Sequence, residues 1–236
     1  MELTTHWSEI EQLQGRGSSE AWRWFIDRYQ GFVGMALRKL IWSPDDAARA
    51  GEEFWGYLFQ SGAVERVQRP MRFRGFLTST LRNYALHWMR RHPRRPSLAA
   101  DGAVADPGVR LLEDEEMAMW GQQVLHLALQ RLDLEQARWG WMLRSFYFLP
   151  ATADGESSTP RRATEIADEL GCTANALHQL LFRARQRLRA CVVEEVRQTV
   201  STRQDLAEEL ALMVSALGRA TPGLVPPAAA PDEERP

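Results

Sequence analysis

The 236-residue sequence predicts an all-α protein: two small helical domains joined by a flexible acidic linker, then an extra C-terminal helix and a disordered tail. Three observations carry this. Apolar residues recur at three- and four-residue spacing along most of the chain, which is the signature of amphipathic helices rather than strands. That periodicity fails between Ser97 and Arg110, where alanine, glycine, aspartate and proline read as a linker. Charge is sharply segregated along a chain whose formal total is only −2.

The first periodic run spans Ser19 to Leu40, with Trp22, Phe25, Ile26, Tyr29, Val33, Ala36, Leu37 and Leu40 on one face. A second helix opens with Ser43 as N-cap, Pro44 in the first helical position, and Asp45 and Asp46 in the first turn. It runs through EEFWGYLFQ and stops near Gly62. A third helix carries Phe73, Phe76, Leu77, Leu81, Tyr84, Ala85 and Trp88, ended by Pro93 and Pro96. These make a first domain over residues 1–96, succeeded by the linker at 97–111.

Helices resume near Leu112. Met117, Trp120, Val124, Leu127, Ala128 and Leu132 form one stripe, and Trp139, Met142, Leu143, Phe146 and Tyr147 another. A polar loop from Leu149 to Arg162 leads into RATEIADELGCTANALHQLLFRARQRLR. There Ile166, Ala167 and Leu170 back a short helix, Gly171 supplies the positive φ of a C-cap, and Thr173 caps the next helix. This is helix-turn-helix grammar, and it completes a second domain over residues 112–190. Val193, Val196, Val200, Leu206, Leu210, Met213 and Leu217 predict a helical extension over 191–218 that folds back on the second domain or meets a partner helix, with Arg203 interrupting its seam. Residues 219–236 read as disordered.

Between Gln60 and Pro96 nine arginines face the single acid Glu65; the next stretch places Asp101, Asp106, Glu113, Asp114, Glu115 and Glu116 against Arg110 alone. A second basic block comes at Arg183, Arg185, Arg187 and Arg189. Two basic blocks beside aromatic residues, offset by acidic segments, are the footprint of a polyanion-binding protein whose total charge conceals it. The acidic parts are expected to shield the free protein from non-specific DNA. In the helix after Thr173, Leu177, Leu181, Ala184 and Leu188 point inward. Asn175, His178, Gln179, Phe182, Arg183 and Arg185 are left to face outward or flank the core, placed to enter a major groove.

Other classes are poorly served. Cys172 and Cys191 are too few for a disulfide framework and neither has a metal-ligand spacing with a histidine, so no metal and no cofactor is expected. His87 and His92, five residues apart at a basic helix end, read as structural or solvent-facing. No paired carboxylates, phosphate-cradling glycine loop or nucleophile constellation can be assembled, so the chain is not expected to be an enzyme. The opening MELTTHWSEIEQLQGRGSSEAW holds no apolar run of signal-peptide length and nowhere do eighteen apolar residues run together, so a cytoplasmic location without membrane contact is expected.

EIADELGCTANALHQLLFRARQRL resembles the C-terminal promoter-binding domain of bacterial RNA polymerase sigma factors of the extracytoplasmic-function group, through Glu165, Ile166, Ala167, Leu170, Gly171, Arg183, Ala184, Arg185, Arg187 and Leu188. The first domain is similar to that family's polymerase-docking region. AWRWFIDRYQGFV matches its opening helix, and FRGFLTSTLRNYALHWMRR matches its melting segment through Phe73, Arg74, Phe76, Leu77, Arg82, Asn83, Arg90 and Arg91. The resemblance covers roughly residues 20–95 and 112–190. It implies a transcription initiation factor, monomeric when free, whose partners are core RNA polymerase, promoter DNA and, in some members, an anti-sigma protein.

By the same resemblance Thr173, Asn175, His178, Gln179, Arg183, Arg185 and Arg187 would contact a minus-35 element. Arg69, Arg72, Arg74, Asn83, Trp88, Arg90 and Arg91 would hold the minus-10 element, arginines and an aromatic being the mixture an unstacked strand requires. Asp46, Arg49, Glu52, Glu53 and Trp55 would meet the polymerase. This last helix departs from the family pattern: DAARAGEEFW has Ala48, Arg49, Ala50 and Glu52 where glutamate, aspartate, leucine and glutamine are usual. That departure leaves an alternative function, a helix-turn-helix regulator that has kept the architecture and lost polymerase docking.

Overall fold

In a computed structural model, residue 13 and residues 19–41, 43–67, 72–93, 113–147 and 161–220 are described. All regular structure among them is helical: α1 (Ser19–Leu40), α2 (Pro44–Gln60), a 3-10 turn (Val64–Arg66), α3 (Phe73–Arg91), α4 (Glu113–Glu135), α5 (Ala137–Tyr147), α6 (Ala163–Leu170), α7 (Ala174–Arg197) and α8 (Arg203–Ala220). The expected linker, the polar loop before Arg161 and the tail after Ala220 lie outside the described residues.

Local chemistry sets the helix ends. Ser43 is extended and its Oγ accepts the Asp46 N–H at 3.0 Å, with Pro44 behind it, so α2 starts where a cap and a preset φ coincide. Gly62 and Gly171 both take positive φ (59° and 63°), the conformation that only glycine adopts without strain. Thr202 Oγ1 accepts the Asp205 N–H at 3.0 Å and opens α8.

Packing divides the apolar residues into two clusters, and the division falls within helices. One cluster joins α1, α2 and α3 around Phe25, Phe32, Phe54, Phe73, Tyr84 and Trp88, and it also takes in Met117, Trp120 and Val124 from the first half of α4. The other gathers Leu129 and Leu132 from the second half of α4 with Met142, Leu143, Ile166, Leu177, Leu181 and Ala184. Residue 112 therefore marks a change in sequence character and not a change of core. Trp120 shows why: its ring stacks on Tyr29 (6.1 Å, 9° between planes) and meets Phe32 edge-on (5.2 Å), so α4 is driven into the first cluster by one large aromatic.

α7 likewise passes the expected boundary at residue 190 without a break, because nothing between Arg189 and Arg197 stops a helix. Its second half reaches the first cluster through Val196, and Glu195 is buried there against Arg28 of α1. The helical path breaks at Gln198–Thr202, and Arg203, expected to interrupt the seam, is instead the first residue of the last helix. α8 does fold back, onto α4 of the expected second domain, and through α4 it joins the first cluster: Met213 and Ala216 are buried there, with Leu206, Leu210 and Leu217 packed alongside. Gly121 of α4 makes this close approach possible, since a Cβ there would lie 2.8 Å from Met213 Cγ and 2.9 Å from Leu217 Cγ.

Candidate nucleic-acid interface

The first candidate surface is built by α6 and the start of α7. Ile166 and Ala167 of α6 and Leu177, Leu181 and Ala184 of α7 bury together, which fixes the two helices as one unit. Between them the Gly171 N–H bonds back to the Asp168 carbonyl (3.1 Å), and Thr173 Oγ1 accepts the Ala176 N–H at 3.2 Å. The inward leucines leave Asn175, His178, Gln179, Phe182 and Arg183 exposed on the opposite side. Phe182 is 58 % exposed. With His178, Gln179, Arg183 and Arg185 it lines a shallow concavity of about 490 Å³.

Two of the arginines expected on this surface are held by neighbours. Arg185 donates to the Tyr147 hydroxyl (2.8 Å) and to the Leu181 carbonyl (3.3 Å). Arg187 forms a two-pronged pair with Glu135 at the end of α4, with Nε to Oε2 at 2.6 Å. That hydrogen bond, more than any other cause, holds the Glu135 carboxyl below its usual range. The outward face thus presents Thr173, Asn175, His178, Gln179 and Arg183 directly, and Arg185 and Arg187 through existing pairs.

The second candidate surface, on α3, is arranged differently. Asn83, Arg90 and Arg91 are exposed, whereas Arg69 lies outside the described residues. Arg72 donates to Asp205 (3.0 Å) and Glu208 of α8. Arg74 donates to Glu209 of α8 (2.7 Å) and Glu116 of α4 (2.6 Å). Glu116 also accepts from Arg82 (2.9 Å) and from the Thr78 hydroxyl (3.0 Å). Three arginines and four carboxylates from three helices form one network. It lowers the pKa of Glu208, first through Arg72 and then through Gln204, and that of Asp205, first through Thr202 and then through Arg72.

Trp88 is corrected by the structure. It is fully buried, stacked on His92 at 4.2 Å with the Arg49 guanidinium 5.8 Å from its ring, so it packs the core and offers no platform to a base. The four- and three-residue spacing of Leu77, Leu81, Ala85 and Trp88 already put it on the inward face of α3.

On α2, Asp46, Arg49, Glu52 and Glu53 share an outward strip over Ala47, Ala50, Phe54 and Leu58, which are buried. Arg49 pairs with Asp46 inside that strip. Trp55 stands apart, half-buried on the flank against Phe25 (6.0 Å, edge-on) and Phe54.

Sequence reasoning missed the residues that tie the surfaces to the body: Arg28, Glu116, Glu195, Asp205, Glu208 and Glu209. Arg28 pairs with Glu195 and donates to Gln198 at 2.6 Å. A signal existed for two of them. Arg28 lies three after Phe25 and four before Phe32, and Glu209 three after Leu206 and four before Met213, so both are charges within an apolar stripe.

Among the described residues no helix is long and apolar enough to cross a membrane, and no three His, Cys, Asp or Glu side chains are placed to hold a metal ion. Both cysteines are free. Compared with family models, curated proteins and solved structures, the chain finds no match.

Proposed function

We propose that this chain is a DNA-binding transcription initiation factor of the sigma type, with α6 and α7 as its helix-turn-helix. The observation that carries it is the first half of α7: an inward leucine face fixed by α6, and an outward face of Asn175, His178, Gln179 and Arg183 left open to solvent. Protein interiors account for every inward side chain of this unit, whereas the outward set has the donors and acceptors that read base edges: arginine for guanine, glutamine for adenine. The exposed Asn83, Arg90 and Arg91 of α3 support a second contact with the phosphate backbone.

One observation favours the alternative, a regulator that reads DNA without polymerase. On the α2 strip, Arg49 neutralises Asp46 and so removes charge from the surface that the sigma reading assigns to polymerase. Binding of the full chain to core RNA polymerase, with Arg49→Asp and Trp55→Ala beside it, separates the two. Association weakened by Trp55→Ala supports the initiation factor. Duplex binding without polymerase association moves the chain to the regulator class. If Arg183→Ala and Gln179→Ala leave duplex binding unchanged, neither stands.

A further inference from the structure

We infer that α8 occupies a nucleic-acid site on α3, with its carboxylates standing where backbone phosphates would bind, and that a phosphodiester strand displaces it. The inference rests on the DNA-binding reading above and adds to it an internal occupant and a competitor.

The pairing chemistry is the first support. Guanidinium groups recognise carboxylate and phosphate by the same forked, charge-assisted hydrogen bonds. Asp205, Glu208 and Glu209, at i, i+3 and i+4, set three acids on the one side of α8 that meets Arg72 and Arg74. Glu116 completes the arrangement from α4 and takes Arg82 as well. The turn before α8 also touches the start of α3, where the Phe73 N–H donates to the Thr199 carbonyl at 3.4 Å. The α3 N-terminus is itself a favourable place for negative charge.

The second support is that this closure is imperfect. Glu209 is 1 % exposed, and its Oε2 hydrogen-bonds to nothing, with Arg72 Nη1 3.7 Å away. A buried carboxylate with one unsatisfied oxygen carries a desolvation cost that its pairing only partly offsets. Along the rest of α8 only one side is attached, to α4: Met213 and Leu217 lie over the glycine at position 121 and Arg219 pairs with Asp114, while Leu212 and Val214 stay exposed on its far side. The helix before it is anchored independently, through Glu195 and Gln198 on Arg28. α8 is therefore the element whose release the inference requires, with α7 held by its own anchor on Arg28.

The test uses the full chain, a short oligodeoxythymidylate as the probe strand, and hydrogen exchange to follow α8. Gly121→Leu wedges α8 away without altering a charge. Glu209→Gln keeps the side-chain volume and removes the central anion. Both variants are expected to lose protection in α8 but not in α7, and to bind the strand about tenfold more tightly at low salt. Their slope of log affinity against log salt should steepen by about 1.4, because the two arginines that α8 releases, Arg72 and Arg74, each contribute about 0.7 on a single strand. The strand itself should deprotect α8 in the unaltered chain. Loss of α8 protection with unchanged affinity and slope would overturn the inference, as would α8 amides that stay protected in the unaltered chain under saturating strand. Duplex binding is measured in parallel with Arg183→Ala: its insensitivity sinks the helix-turn-helix reading, whatever α8 does.

Discussion

The two basic blocks, alike in the sequence, end in opposite states. The α7 block keeps an open face: Asn175, His178, Gln179 and Arg183 meet solvent, and a phenyl ring stands exposed among them. The α3 block is closed, its three central arginines engaged by four carboxylates from α4 and α8, helices that lie later in the chain. Linear charge density therefore identifies a surface that suits a polyanion but not whether the chain already supplies one. The difference lies in the surroundings of each block: the start of α7 turns Arg183 away from the body, whereas Arg72 and Arg74 at the start of α3 meet the acids of α8.

The largest effect expected from breaking this contrast is structural. Trp88→Ala removes a fully buried indole from the closed block's helix, and urea unfolding should show a loss of about 3–5 kcal/mol. A loss under about 1 kcal/mol would return Trp88 to the surface and reopen it as a base platform. Next comes affinity for duplex DNA. Arg183→Ala on the open face should weaken binding about tenfold, the scale of one good base contact, while Arg82→Ala, already paired to Glu116, should change it about twofold or less. Fluorescence anisotropy at fixed salt compares the two, and equal losses would erase the distinction.

The smallest effect is the response to pH. Asp205 and Glu208 titrate below their ordinary range in the folded chain, so their contribution is complete above the unfolded value, near pH 4, and is lost as pH falls through the lower folded value. α8 protection should hold from neutrality down to about pH 5 and decline only below about pH 4. A decline centred near pH 6 would mean that some other group governs the closure.

Much of the fold was legible because helix chemistry is local. Ser43, Gly62, Gly171 and Thr173 declared their ends, and the stripe from Phe25 to Leu40 declared its buried face. Periodicity says which face is buried without saying against what. Hence the first half of α4 was assigned to the wrong neighbours: Trp120 fits any aromatic cluster, and only the three-dimensional arrangement brings it to Tyr29 and Phe32. The open α7 face was legible for the same local reason, since its leucines fix what must point out. The closed one was not, because Arg72 and Asp205 lie 133 positions apart and no short-range rule couples them. Arg28 and Glu209 were the available warning, charges standing where a stripe calls for carbon.

α7 is a single uninterrupted rod of 24 residues, about 36 Å long at 1.5 Å per residue. One end carries the open face and the other is pinned in the first cluster by Val196 and Glu195. Such a rod acts as a ruler with a phase. It fixes how far the groove contact stands from the body, and it fixes the azimuth at which that contact is presented. One residue inserted near Arg189 would lengthen the rod by only about 1.5 Å but turn the outward face by about 100°. The alignment of what the two ends touch is thus written into the helix as a residue count, and shifts in rotation cost it far more than shifts in length.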